Sequence, residues 1–290
     1  MKTKNIERII YILMKLIKKE FLDFEGYVYN IEVEDNHNYY AEDILVSNCY
    51  LGCTEEGKHA DLTNPIFDTV HAGTEMAING NDLTHPGLED FLVKMKNKNV
   101  FVNITVNQKH LYPNLSKLKQ WQENHLIWGI GISLTDSTDP QLFESISQLK
   151  NVIIHIIDGC TTKADLDNLS NHDIKILILG FKHKGRGLDY YNENKDFVDS
   201  NIEFLKCNLL KYASKFAGIG FDNLAVEDLE IQKQVPADDW EVYNMGSDGQ
   251  FTFYFDSVEN KFAVSSTDNI YYNILDTFDN MFKFIRQLNA

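Results

Sequence analysis

Between residues 74 and 181 short apolar runs alternate with helix-like segments. The runs TEMAIN (74–79), VFVNITV (100–106), IWGIGISL (127–134), NVIIHII (151–157) and KILILGF (175–181) are rich in Val, Ile, Leu and Phe, as strands covered on both faces require. The stretches near 87–97, 114–123, 139–149 and 162–170 predict helices. Two of them open at Asp139-Pro140 and Thr161-Thr162, where short polar side chains cap free backbone N–H groups and proline presets the first turn. Strand-helix alternation of this kind predicts an α/β fold, a parallel sheet under helices. Five strands in sequence predict a partial barrel.

The pattern differs at both ends. Residues 1–48 are β-prone, with YVYNIEVE at 27–34 and ILVS at 44–47, and so short a piece cannot bury much of a core alone. Beyond residue 195 a helix is predicted near 196–215, then a hairpin at SDGQFTFYFD (247–256), where Asp248-Gly249 precedes alternating aromatics. A closing helix is predicted over 270–287. The expected organisation is therefore 1–48, 49–195 and 196–290, the last a C-terminal extension of the barrel.

Composition narrows the function classes. With 290 residues, 43% of them hydrophobic, and a formal charge of -16, the chain reads as globular and repels phosphate backbones, so nucleic acid is not an expected partner. The apolar stretch IIYILMKLI (9–17) is interrupted by Lys15 and flanked by Lys18 and Lys19. It is too short to span a bilayer, which leaves a packed helix or strand, or an amphipathic anchor. A cytoplasmic protein with no membrane partner is expected. The four cysteines, Cys49, Cys53, Cys160 and Cys207, are too sparse for a disulfide framework.

Residues 27–49, YVYNIEVEDNHNYYAEDILVSNC, resemble the C-terminal end of inteins: a Val-Tyr-Asn-Ile-x-Val strand, an acidic patch followed by His-Asn, and a final Asn before Cys. The resemblance implies that the Asn48 side-chain amide attacks its own carbonyl carbon, closing a succinimide and breaking the bond to Cys49. It also implies that the Cys49 thiol first accepts the flanking peptide as a thioester, and that His37 moves protons during cyclisation. Many inteins carry His where this chain has Ser47, which shifts weight onto His37; the family pattern places an acidic neighbour beside it, a position that Asp35 or Asn36 would occupy, Asp35 being the more useful. Residues 1–26 are too few to hold the N-terminal intein half, so the implied partner is a separately encoded N-terminal intein and N-extein fragment. An ordinary hairpin and loop over 33–49 is the alternative.

From Cys49 onward, CYLGCTEEGKHADL (49–62) resembles the stretch that begins at the third cysteine of the Cys-x3-Cys-x2-Cys motif in radical S-adenosylmethionine (SAM) enzymes. The resemblance implies that Cys49 is a metal ligand of a 4Fe-4S cluster, with Tyr50 beside it and the first two thiolates supplied by the partner. A rival alignment makes Cys49 and Cys53 the first two ligands, but Glu56 then stands where a soft thiolate is needed. Further matches follow in family order. AINGNDLTHPGL (77–88) resembles the glycine-rich turn that holds SAM, reduced here to Asn79, Gly80 and Asn81. NITVNQ (103–108) resembles a strand end at which Thr105 and Asn107 face the cofactor. GISL with Ser133, HIIDG with His155 and LGFKHKGRG (179–187) end later strands, where barrel enzymes build their sites.

The resemblance therefore implies a (β/α)6 TIM-like barrel of the radical SAM type lacking its first strand, preceded by a small all-β intein C-fragment. Its cofactors would be a 4Fe-4S cluster and SAM, and its electron donor a flavodoxin or ferredoxin. A degenerate binding protein, or an intein piece capable only of self-cleavage at its C-terminal end, are the competing readings. Tyr254, Asp256, Ser265 and Ser266 are candidates for a substrate pocket, or else hairpin packing.

Overall fold

The computed structural model describes residues 60–288 other than Asp82 and Met245. The expected intein fragment, with Asp35, His37, Ser47 and Asn48, and the expected cluster residues Cys49 and Tyr50 lie outside the described residues. Six strands, β1 (Glu75–Asn81), β2 (Phe101–Asn107), β3 (Ile130–Ser133), β4 (Val152–Ile157), β5 (Lys175–Leu179) and β6 (Gly218–Phe221), form one sheet in the order β1-β2-β3-β4-β5-β6. Every pairing in it is parallel. Helices α1 (Leu88–Asn97), α2 (Gln108–Glu123), α3 (Pro140–Ile146), α4 (Lys163–Leu169) and α5 (Arg186–Tyr212) connect successive strands. Sequential parallel order with a helix in each crossover is the arrangement of a TIM-like (β/α) barrel. Among the described residues β1 and β6 are edges that do not pair, so the barrel is partial.

The two faces of the sheet follow from strand alternation. Val102, Ile104, Val106, Ile130, Ile132, Ile154, Ile156, Ile176, Ile178 and Ile219 point to the helices and meet Leu92 and Met95 of α1, Leu111, Leu118 and Trp121 of α2, Leu142 of α3, Leu166 of α4 and Leu205 of α5. Each such side chain, removed from water, contributes about 1.5–3 kcal/mol, and this layer is the main core. Local signals set the helix starts. Asp139 accepts from the Gln141 N–H, and Thr162 forms a capping box with Asp165.

Four expectations are corrected. A (β/α)6 barrel lacking its first strand leaves five strands, and the sheet has six: β6 is built from GIGF, a run whose two glycines and brevity hide it from a propensity reading. The long helix begins at Arg186, ten residues before the expected start, and carries a non-helical Asn194; position 195, set as a domain limit, falls inside it. Asp248-Gly249 is not the hairpin turn. The antiparallel sheet is β7 (Tyr254–Asp256), β8 (Lys261–Ala263) and β9 (Tyr272–Asn273), and Asp256 closes the β7–β8 turn by accepting from the Val258 and Glu259 N–H groups at 2.8 and 2.9 Å. The closing helix starts late, at Phe278, because residues 270–277 contain β9; between β6 and β7 lie α6 (Asn223–Asp228), α7 (Ile231–Gln234) and α8 (Ala237–Tyr243), which makes the closing helix α9 (Phe278–Leu288). Among the described residues no helix is long and apolar enough to cross a membrane.

Candidate functional site

The face of the sheet turned away from the helices is half polar. In register, Asn79 stands beside Thr105 and Thr105 beside Gly131, while Asn107 stands beside Ser133 and Ser133 beside His155. Neighbours in a parallel register point to the same side, so these six residues, drawn from four strands, share one surface toward the C-terminal ends of the strands. This is the end at which barrels carry out chemistry. The other half, Ile153, Ile157, Leu177 and Leu179, is a small apolar cluster of its own, bordered by Gly218 and Gly220.

Gly131 shapes the polar half. A methyl built there would lie 2.2 Å from Cε1 and 2.6 Å from Nε2 of His155, and 2.9 Å from the Thr105 hydroxyl. The glycine thus lets the imidazole and the hydroxyl converge over the backbone of β3. His155 is 2% exposed, and both ring nitrogens are buried without a hydrogen-bond partner among the described residues. Burial holds its pKa down at about 3, so the ring is neutral at physiological pH and offers one donor and one acceptor. A buried polar group left unmatched costs about 1–3 kcal/mol, a deficit that a polar ligand or ordered water relieves.

At the opposite end of this face Asn103 donates to Glu75 and lies over Gly129. Burial pushes the Glu75 carboxyl up to about 7, against the opposing effect of that hydrogen bond. Lys175, on the same face of β5, is held below the usual lysine value by desolvation.

The candidate residues differ in what they are free to do. Asn107 turns its amide oxygen to the Lys109 N–H as the cap of α2, so only its amide nitrogen faces outward as a donor. Asn79, Gly80 and Asn81 do not form a turn after the strand, as expected, but end β1, with a register shift between Asn79 and Asn81. The chain then bends at Leu83, whose φ is +59°. Gln108, missed in the sequence, is 2% exposed and organises the rim after β3: its carbonyl accepts from the Thr135 and Asp136 N–H groups at 2.8 and 2.9 Å, and its amide donates to the Asp136 carbonyl at 2.8 Å. Only its place next to Asn107 could have marked it.

The rim after β5 is tied to the C-terminal region. Lys182 donates to the Ser266 hydroxyl at 2.8 Å, and Lys184 to the carbonyls of Thr267 and Asp268. Ser266 and its neighbour Ser265 thereby reach the strand ends, whereas Asp256 caps a turn and Tyr254 packs on Tyr271. Asp158, Asp222 and Asp228 gather at the ends of β4 and β6, also unmarked in the sequence beyond the run HIIDG.

Thiol chemistry finds no second centre here. The Cys160 thiol is pushed up to about 11 by burial, and the Cys207 thiol lies exposed on α5, donating to Glu203. Among the described residues no group of three or more His, Cys, Asp or Glu side chains is placed to hold a metal ion.

No family model and no curated protein matches the sequence. Among solved structures, the dihydropteroate synthase from Xanthomonas albilineans in complex with 7,8-dihydropteroate aligns over 61% of this chain and 99% of that chain, with 9% identity and a TM-score of 0.28, a similarity too weak to bear on what the chain does.

Proposed function

We propose that the chain is the C-terminal partner in protein trans-splicing, and that the joined product is a radical SAM enzyme. The observation that carries the enzyme half is the in-register set Asn79, Thr105, Asn107, Ser133 and His155 on one face at the C-terminal strand ends. These residues were picked from the family pattern, and they come together on four adjacent strands. The splicing half is supported by the edge: among the described residues β1 has a strand neighbour, β2, on one side only, and a strand delivered by the partner would pair on the other side.

In this reading Cys49 takes the partner's flanking peptide as a thioester, and Asn48 cyclises to release residues 1–48, with His37 moving the protons, assisted by Asp35 and with Ser47 beside the junction. The acyl group then moves from the Cys49 sulfur to the amino group freed by that cleavage, which forms the new peptide bond and returns the thiol; Cys49 would then serve as the third cluster thiolate with Tyr50 at its side. The polar half-face fits SAM because it offers neutral hydroxyl, amide and imidazole groups, with the unmatched His155 ring among them. When bound and reduced through the cluster, SAM supplies a 5'-deoxyadenosyl radical for hydrogen abstraction. The protein's part is to orient it and to keep water away.

The test is to co-express the chain with the separately encoded N-terminal fragment, reconstitute the joined protein with iron and sulfide, and measure 5'-deoxyadenosine formed from SAM. Thr105→Val, which removes one hydroxyl and keeps the shape, is expected to raise the KM for SAM about tenfold, the equivalent of one hydrogen bond of roughly 1.4 kcal/mol. A joined protein that carries a cluster yet forms no 5'-deoxyadenosine overturns the enzyme half.

A further inference from the structure

Three carboxyl groups meet on the rim outside the proposed cofactor face, and their hydrogen bonds leave one oxygen over. Asp158, directly after β4, is fully buried, at 0% exposure. Its Oδ1 accepts from the Gly159 N–H at 2.6 Å, while Oδ2 is buried with no donor. Asp222, after β6, is also buried, and its Oδ1 accepts from the Gly180 N–H at 2.9 Å and the Ala225 N–H at 2.7 Å, so it caps α6 and pins the end of β5. Asp228, the last residue of α6, brings its carboxyl to hydrogen-bonding reach of Asp158. Two carboxylates cannot bond to each other; a carboxylic acid and a carboxylate can.

We infer that Asp158 and Asp228 hold one proton between them, and that this shared proton is a latch fastening α6 to the end of β4. While the proton is present, the pair bridges an element of the barrel to the helix that follows β6. When it leaves, two adjacent anions face each other beside a third, Asp222, with Asp158 and Asp222 buried and Asp228 partly so, and repulsion drives α6 off the rim. The other titratable groups around the pair are Cys160 next to β4, Lys182 and His183 on the β5 rim, and Glu227 and Asp248 near α6. Lys182 and His183 act on Asp222 and Asp228 respectively, which leaves Asp158 to face the other carboxyls. On α5, the side chains packed over Gly159 are Val198 and Asn201, both uncharged.

Physical chemistry fixes the direction. Desolvation first, then the Asp228 charge, raise the Asp158 value to about 8, and desolvation also raises that of Asp228. A carboxyl whose folded value lies above its unfolded one gives stability that is complete below about pH 4 and lost as pH rises through the folded value. The latch therefore opens toward alkaline pH.

The experiment uses the full chain and does not require splicing or a cofactor. Thermal midpoints are measured from about pH 6 to 9 in a Glu75→Gln background, since Glu75 titrates in the same direction. In that background the midpoint is expected to fall by several degrees across the range. Adding Asp158→Asn, which keeps the acceptor for Gly159 and supplies a permanent N–H for Asp228, is expected to flatten the fall and to leave the variant the more stable protein at pH 9. Hydrogen exchange at the Ala225 and Val226 amides, corrected for intrinsic rate, is expected to quicken with pH only when Asp158 is present. Should Asp158→Asn not fold, the infrared carbonyl band of a protonated carboxyl at pH 7 in the Glu75→Gln chain decides the matter, being expected there and expected to be lost when Asp228→Asn is added. An equal fall in both proteins, or no such band at pH 7, overturns the proposal.

Discussion

Gly131 and His155 make a single device, in which a missing side chain on one strand gives room to an imidazole from the next. Gly131→Ala puts a methyl group within 2.2–2.9 Å of the His155 ring and the Thr105 hydroxyl. Overpacking of this kind costs about 1–3 kcal/mol, so the urea midpoint is expected to fall correspondingly; an unchanged midpoint would mean that the ring does not lie over the glycine. At this scale the sequence was informative where a family pattern existed. Thr105, Ser133 and His155 were all identifiable, but their shared face depends on strand register, which only the folded sheet reveals. Glu75, Gln108 and Asp158 were not identifiable. A lone acid or amide in an apolar run gives no sign of burial, and what sets these three apart is their surroundings: a desolvated carboxyl, a buried amide bracing a loop, an oxygen with no donor.

At the scale of elements, capping and alternation carried most of the information. The five strands from 74 to 181 and the four helices between them follow from continuous apolar runs and from caps at Asp139 and Thr162. The Thr162 hydroxyl accepts from the Asp165 N–H, while the Asp165 carboxylate accepts from the Thr162 N–H. Thr162→Ala is therefore expected to cost about 1 kcal/mol, read as a shift in the urea midpoint, whereas Thr162→Ser should cost much less; equal losses would place the effect in packing instead of capping. What escaped was set by long-range contacts. β6 has two glycines in four residues and is a strand because β5 supplies its hydrogen-bonding partner. α2 starts at Gln108, so Pro113, a residue that ordinarily opens a helix, sits inside it. The short strands β7, β8 and β9 exist as a set, each too brief to stand alone.

At the scale of the whole molecule, among the described residues the sheet ends at β1 on one side, and the proposed function would place a further strand there, arriving on another polypeptide. An edge of seven residues, unpaired on one side among the described residues, is a template for pairing, and a net charge of -16 disfavours pairing between separate copies. In the function proposed above, formation of the site would be tied to ligation, because the cluster thiolates would come together only when the peptide bond to Cys49 is remade. The most direct test of that claim is the intact mass of the polypeptides after co-expression with the N-terminal fragment. The account predicts a joined protein that has lost residues 1–48 at the Asn48–Cys49 bond, and no such species from Asn48→Ala. Both chains recovered unjoined at their full masses, or a joined product that survives Asn48→Ala, would contradict it.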